Sequence, residues 1–382
     1  MNMDSVKIIF AGGGTGGHLY PAIAIADKIK ELLANKVEAE ILFIGTKRGL
    51  EYRIKDKLNY PLETLSIRGI ARSFTLKNLL VPFAIISSLW KMNSIMNRFK
   101  PDLVVGTGGY VCWPVVSTAY RKKIPAVLQE QNSYPGLSVR KLASKVQKIY
   151  LGFERAKDWF KTDAEIIVTG NPIRSDISKG DSVKTLQRQN LSLEKKTILI
   201  LGGSQGARAI NDSVLRSLKN ENIKDGYQIL WQTGKRGYTD VTNQLGNKAN
   251  CSLFPFAHDM HNIYATADLV IARAGALTLA ELIACKLPSI LIPYPFAAGE
   301  HQKKNAQFLV DSKMAIMVEE KDLDQTDIIK KAVSTLSSDE HNSIKKNLEN
   351  YIAGKKPAVD LIAEDIIEII NKNKLAEKKI AS

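Results

Sequence analysis

Two glycine-rich loops carry the first chemical signal. Gly12-Gly13-Gly14-Thr15-Gly16-Gly17 and Gly202-Gly203-Ser204-Gln205-Gly206 each follow a short apolar run and lead into a helical stretch. Such a loop leaves unpaired backbone N–H groups at a helix start, its glycines let an anion approach, and the helix dipole favours negative charge. The chemistry is phosphate binding. His18 closes the first loop. A neutral imidazole there could take a proton from an attacking hydroxyl or bind a diphosphate; the plainer alternative is a histidine that packs the loop. Ser204 could hold a phosphate or serve as an ordinary helix N-cap. His258 and His261 are spaced like a metal pair, but no third ligand lies nearby, so they read as surface histidines. No Asp-x-Asp pair is placed to hold a divalent ion under a diphosphate, so neither a metal nor a cofactor is expected.

Residues 12–17 formally fit the dinucleotide fingerprint G-x-G-x-x-G, which also asks for an acid at the end of the second strand to bind a ribose. That strand ends Ile44-Gly45-Thr46-Lys47-Arg48, with no acid, and the second loop does not fit the fingerprint. Neither Gly-Lys pair, at 234–235 or 354–355, has the flanking residues of a phosphate-binding lysine loop. A dinucleotide oxidoreductase and a P-loop ATPase both lose ground.

The elements that must position these loops alternate along the chain. Apolar runs at 6–11, 40–44, 102–106 and 126–129 read as buried strands, with a helix after the first loop carrying Ile25, Ile29, Leu32 and Leu33 on one face. A second cycle starts at 197–201 and continues through 228–232, 269–272 and 289–293, with a helix over 276–285. Alternating strands and helices imply an α/β fold of parallel sheets covered on both faces, here two Rossmann-like doubly wound units. The expected division is 1–172 and 173–350, with 171–196 as the connection. A helix at about 357–370 could return to pack on the first unit. The length of 382 residues agrees with two domains, and 45% hydrophobic with 24% charged residues excludes a wholly disordered chain. Three scattered cysteines form no CxxC and suggest a reducing compartment. The start runs straight into the glycine loop without the pattern of a signal peptide, which points to the cytoplasmic side.

The net charge of +15 is concentrated. Residues 64–153 hold thirteen basic residues against Asp102 and Glu130, a local +11. A polyanion is the expected partner class. No zinc-finger spacing, RNP-like motif or basic recognition helix is present, so nucleic acid is not expected. The basic residues flank an apolar stretch with Phe74, Leu76, Leu79, Leu80, Phe83 and Trp90, the composition of a surface helix that inserts one face among lipid headgroups. The alternative is a core helix with solvated basic ends. The uncharged run 78–90 is too short to span a bilayer, which takes about 20 residues.

Seven motifs, in order from 13 to 306, then carry a resemblance across the chain. They are Gly13-Gly14-Thr15-Gly16-Gly17-His18, Gly108-Gly109-Tyr110-Val111, Glu130-Gln131-Asn132, Gly170-Asn171-Pro172, Gly202-Gly203-Ser204-Gln205-Gly206-Ala207-Arg208, Arg273-Ala274-Gly275-Ala276-Leu277-Thr278 with Glu281, and His301-Gln302 with Asn305-Ala306. In these the sequence resembles glycosyltransferase family 28. The resemblance implies a GT-B fold, two units facing across a cleft, and metal-independent, inverting transfer of GlcNAc. The donor would be UDP-GlcNAc. The acceptor would be the C4 hydroxyl of a polyprenyl-diphosphate-linked muramoyl-pentapeptide, at the anionic inner leaflet of the cytoplasmic membrane, during peptidoglycan synthesis.

Carried over by motif, Ser204 would hold a phosphate and Glu281 would accept hydrogen bonds from ribose hydroxyls. The turn of Ala276, Leu277 and Thr278 would present N–H groups to the diphosphate, and Leu279 and Ala280 would belong with them to the substrate-binding set. Arg174 and Ala257 would lie at the base, while Gln302 and Asn305, with His301 alongside, would orient the sugar. Thr15, Gly16, Gly17 and Asn132 would reach the donor from the first unit. The resemblance strengthens His18 and Glu130 as catalytic candidates. One departure is Gln129, where the family commonly has His, so a proton role for that ring is absent. A transferase with another lipid acceptor and, in a different class, a dinucleotide oxidoreductase are the alternatives.

Overall fold

The computed structural model describes residues 5–67, 81–203, 206–220, 223–246 and 248–381. The chain forms two compact units, residues 1–173 with 356–382, and residues 174–355.

The first unit is built on a seven-stranded sheet of β1 (Ser5–Gly12), β2 (Glu38–Gly45), β3 (Leu62–Thr64), β4 (Leu103–Gly108), β5 (Ala126–Glu130), β6 (Lys148–Leu151) and β7 (Glu165–Val168). The order across it is β3-β2-β1-β4-β5-β6-β7, with all pairs parallel. Parallel strands covered on both faces read as continuous apolar runs, which is why 6–11 and 103–105 lack alternation. Successive residues nevertheless serve different faces. Ile9, Val104 and Leu128 pack with Met92, Ile95 and Met96 of the helix Val81–Phe99 and with Val115, Val116 and Ala119 of Cys112–Arg121. On the other face Ile8, Phe10, Val105 and Val127 meet Ile25 and Ile29 of Gly16–Leu33 and Ile362, Ile366 and Ile370 of the C-terminal helix Ala358–Ala381. Asp365 fixes that last helix by pairing with Lys148 at 2.8 Å and accepting the Tyr150 hydroxyl at 2.6 Å.

The second unit has a six-stranded parallel sheet of β8 (Lys196–Leu201), β9 (Tyr227–Gln232), β10 (Cys251–Phe254), β11 (Leu269–Ala272), β12 (Ser289–Leu291) and β13 (Ile316–Met317). Its order is β10-β9-β8-β11-β12-β13. Ile198, Ile200, Trp231 and Ile271 pack under Ile210, Val214 and Leu218 of Arg208–Asn220 and Ile328 and Ala332 of Ile328–Leu336. The stretch read as a connection contains a helix of its own, Ser182–Arg188, because Asp181 accepts the Lys184 N–H at 3.1 Å and caps it.

In each sheet the strand order reverses beside the first strand of the unit, between β1 and β4 and between β8 and β11. Ligands of open parallel sheets bind beyond the carboxyl ends of the strands at such a reversal. Both glycine loops lie there.

The helix Val81–Phe99 turns Ser88, Met92, Ile95 and Met96 inward, while Ile86 is 54% and Trp90 77% exposed. Phe74, Leu76, Leu79 and Leu80, together with the Phe83 side chain, lie outside what is described. No helix among the described residues is long and apolar enough to cross a membrane.

Candidate active site

In the first unit the loop after β1 meets the loop after β4. The helix starts at Gly16, so His18 sits inside its first turn rather than ahead of it. Thr107 Oγ1 donates to the His18 carbonyl at 2.7 Å, and His18 Nδ1 lies 3.0 Å from both the Thr107 carbonyl and Gln131 Oε1. Two glycines make the approach possible. A Cβ on Gly108 would stand 2.7 Å from the His18 ring nitrogen, and one on Gly109 would stand 2.6 Å from the Gly13 carbonyl. Both have positive φ, +104° and +80°, which glycine alone adopts without strain. Among the described residues no group bonds His18 Nε2. The ring is held on one side and open on the other, as a proton acceptor must be. Thr15 is the exposed N-cap and its hydroxyl makes no capping bond, so it remains available beside the N–H groups of Gly16 and Gly17.

Glu130 is only 1% exposed, and both its oxygens are occupied. Oε1 accepts the Asn132 backbone N–H at 2.9 Å and its side-chain amide at 3.2 Å, and Oε2 accepts Gly136 N–H at 2.9 Å. Its carboxylate fixes the loop that carries Asn132 and starts the helix Leu137–Leu142. Asn132 is itself turned onto Glu130.

A buried carboxylate that the sequence reading passed over lies beneath the first loop. Glu51, 1% exposed, accepts Gly14 N–H at 2.8 Å and Thr46 N–H at 2.7 Å. Its side chain fits among three glycines: a Cβ on Gly13 or Gly49 would come within 2.6 or 2.0 Å of the carboxyl group, and one on Gly45 within 2.3 Å of Cγ. Among the described residues no cation pairs with it. The loop's own dipoles hold the charge, and in return Gly14 N–H is aimed inward, leaving the later N–H groups to face a ligand.

In the second unit Gly275 caps the helix Ala276–Ala284. The first four N–H groups of a helix have no partner within it, which here includes those of Ala276, Leu277 and Thr278. Leu279 N–H already donates to the Gly275 carbonyl at 3.0 Å and its side chain is wholly buried. The unpaired N–H groups of this helix start are therefore those of Ala276, Leu277 and Thr278.

Glu281 is half-buried on this helix, and the buried Tyr264 hydroxyl donates to its Oε2 at 2.8 Å. Desolvation raises the Glu281 carboxyl above the ordinary glutamate range, opposed by the Tyr264 bond and the Arg174 charge. Burial and the neighbouring Glu281 hold Tyr264 as the protonated phenol, so it stays a donor. Tyr264 is a second functional residue absent from the sequence reading.

Gly206, φ +82°, presses close to the Thr233 carbonyl, where a Cβ would stand at 2.4 Å. Ser204 lies outside the described residues. Ala257 N–H is taken by Gln232 Oε1 at 2.9 Å, so it is not available to a base. Gln302 Oε1 accepts Tyr294 N–H at 3.0 Å, which commits that oxygen and leaves the amide nitrogen as its donor. Asn305 is fully buried, and its side-chain amide reaches the Ala274 carbonyl at 3.5 Å. His301 Nδ1 donates to the Ala298 carbonyl at 2.9 Å. Among the described residues no group of three or more His, Cys, Asp or Glu is gathered to hold a metal ion.

Two parallel sheets of this order, each in its own unit with a glycine-containing loop at the reversal, are the architecture of the GT-B fold. The chain belongs to glycosyltransferase family 28: the family's N-terminal domain matches residues 8–151 and its C-terminal domain residues 197–364. A relative from Thermoanaerobacter sp. (strain X514) is 40% identical over 331 residues, covering 85% of this chain and 90% of its own. One from Listeria monocytogenes is 39% identical over 368 residues, covering 96% and 100%. Both are named UDP-N-acetylglucosamine–N-acetylmuramyl-(pentapeptide) pyrophosphoryl-undecaprenol N-acetylglucosamine transferase. The crystal structure of Acinetobacter baumannii MurG is similar with a TM-score of 0.73 at 25% identity, over 96% of this chain and 99% of that one. The UDP-GlcNAc 2-epimerase of Neisseria meningitidis shares the fold, with a TM-score of 0.61 at 15% identity over 96% and 100%.

Proposed function

We propose that this glycosyltransferase moves GlcNAc from UDP-GlcNAc to the C4 hydroxyl of undecaprenyl-diphosphate-linked MurNAc-pentapeptide, with inversion, in peptidoglycan synthesis. The observation that carries this reading is the kinship along nearly the whole chain to relatives named for that transfer. The local geometry supports it. The acceptor hydroxyl gives its proton to His18 Nε2 and bonds to the anomeric carbon, while the bond from that carbon to the diphosphate breaks. The departing UDP carries the negative charge. Unpaired N–H groups at Ala276, Leu277 and Thr278 suit that diphosphate, because fixed dipoles stabilise developing charge without reorganising. Gln302 would orient the sugar, Arg174 would lie at the base, and Thr15, Gly16, Gly17 and Asn132 would reach the donor from the first unit.

UDP release measured with and without the muramoyl lipid tests the reaction class. Release that requires the lipid is expected. Donor consumed equally well alone would mark a hydrolase or epimerase, and release supported only by another lipid would mark a different acceptor.

Glu281 serves the ribose hydroxyls as an acceptor, so it must be ionised. Its raised carboxyl means that protonation begins at a higher pH than for an ordinary glutamate. UDP-GlcNAc affinity is therefore expected to fall on acidification and to be retained above that range. Glu281→Gln should weaken binding by about tenfold or more, since a hydrogen bond to a charged group contributes about 1.5–3 kcal/mol. It should also lose the acid limb. Titration by calorimetry across pH checks both, and an unchanged acid limb in the variant would assign it elsewhere.

The acceptor's lipid places the reaction at the cytoplasmic face of the membrane, with the protein bound peripherally. The basic window and the outward Ile86 and Trp90 support this surface. Ile86→Ser with Trp90→Ser should weaken binding to anionic vesicles by about tenfold, given about 25 cal/mol per Å² of apolar surface withdrawn from water. UDP-GlcNAc binding should be unaltered. Unchanged vesicle binding would move the lipid contact off this helix.

A further inference from the structure

The amide network behind His18 reaches further than packing. The Thr107 carbonyl can only accept, so the His18 Nδ1 that lies 3.0 Å from it must carry a hydrogen. The same nitrogen is 3.0 Å from Gln131 Oε1. That amide cannot be turned over. Gln131 Nε2 lies 2.8 Å from the Thr107 carbonyl, 3.2 Å from the Gln129 carbonyl and 2.5 Å from Gln129 Oε1, three acceptors that require its NH2 group. Gln129 in turn has its oxygen engaged, so its Nε2 donates to Asn171 Oδ1 at 3.1 Å. Asn171 Nδ2 donates to the Gln131 carbonyl at 2.9 Å. Gln129, Gln131 and Asn171 are 0%, 2% and 7% exposed, so water does not compete for these bonds. Gly152 makes the room: a Cβ there would stand 2.4 Å from Asn171 Oδ1.

We propose that Gln131 is the positioning residue that, as a second acceptor beside the Thr107 carbonyl, fixes His18 as the neutral tautomer with its proton on Nδ1, held in that orientation by Gln129 and Asn171. The proposal rests on His18 as the proton acceptor and adds how its lone pair comes to be on Nε2. Which ring nitrogen of a histidine is protonated is set by the bond the other makes, and an orienting partner that permits the wrong tautomer can cost about 10⁴ in rate, as in serine hydrolases. Turning the ring over would place a carbon at the Thr107 and Gln131 oxygens. The departure at position 129 thus has a physical content. Gln129 moves no proton, but it supplies both the acceptor that orients Gln131 and the donor that links to Asn171.

The test reads the ring directly. The full chain with ¹⁵N-labelled histidine is examined by NMR without substrates, and His18 is assigned by its loss in His18→Gln. Wild-type His18 is expected as a single neutral species protonated on Nδ1. Gln131→Met, close in size but unable to accept, should show a fraction protonated on Nε2. Its kcat should fall by about tenfold with the UDP-GlcNAc KM unchanged, the scale of one lost hydrogen bond. Gln129→Met should shift both readouts in the same direction by less. A wild-type ring protonated on Nε2, or a Gln131→Met chain with the wild-type ring spectrum and kcat, would overturn the proposal. The spectrum stands apart from catalysis: if His18→Gln turned over normally, the base assignment would fail while the role of Gln131 in holding the ring could still be read.

Discussion

His18→Gln is expected to lower the turnover of the muramoyl lipid by about 10²–10⁴, the usual contribution of a positioned general base. Donor binding should survive, because the residues proposed to hold the donor, Glu281 and the unpaired N–H groups at 276–278, lie in the second unit. The size of the effect follows from the geometry. His18 has one nitrogen bound at 3.0 Å to two oxygens and the other open, so it can take a proton without breaking a bond. Glu130 cannot do the same: each oxygen already accepts a backbone N–H, at 2.9 Å in both cases, and releasing one would unpair a loop. Single-turnover kinetics with pre-bound donor separates the chemical step from binding. A variant with near-normal single-turnover rate would remove His18 from the chemistry and reopen the question of the base.

Glu51 should give the second large effect, on both stability and rate. Glu51→Ala leaves Gly14 and Thr46 N–H without their buried partner and empties the space among Gly13, Gly45 and Gly49. A hydrogen bond to a charged group contributes about 1.5–3 kcal/mol, so losing both should cost the first unit about 3 kcal/mol. In a domain of that size this lowers the melting temperature by roughly 6–12 °C. Glu51→Gln keeps the volume but must point its NH2 group at one of the two N–H donors. It should melt closer to wild type yet lose about tenfold in kcat/KM for the lipid acceptor, through a slackened loop around His18. Calorimetric melting and acceptor kinetics on the two variants check this. Wild-type kinetics in Glu51→Gln would show that the loop does not depend on the carboxylate.

The sequence reading and the structure part company where an inference needs contacts between distant residues. The strands were legible because buried parallel strands are continuous apolar runs, and the two glycine loops because glycine clusters at helix starts have few other uses. The helix over 276–284 was legible from its apolar pattern, but which of its N–H groups stay unpaired depends on the cap residue, Gly275, which only the backbone reveals. Glu51 was invisible: in sequence it is one acid in a short charged helix, and its meaning comes from three glycines that meet only in the fold. Tyr264 was hidden for the same reason, being 17 positions from Glu281. Glu130 drew attention as an acid beside a motif, yet full burial with backbone donors on both oxygens gives it a structural task. The C-terminal helix shows its apolar face in Ile362, Ile366 and Ile370, but only Asp365, meeting Lys148 and Tyr150, tells which unit receives it.

The most direct measurement of the central claim is mass spectrometry of the lipid after incubation with UDP-GlcNAc. Transfer to the acceptor should add one N-acetylhexosamine to the muramoyl lipid for each UDP released, and His18→Gln should suppress both together. UDP formed without a change in the lipid, or a lipid left intact under conditions where the donor binds, would contradict the assignment of this chain as the GlcNAc transferase acting on that lipid.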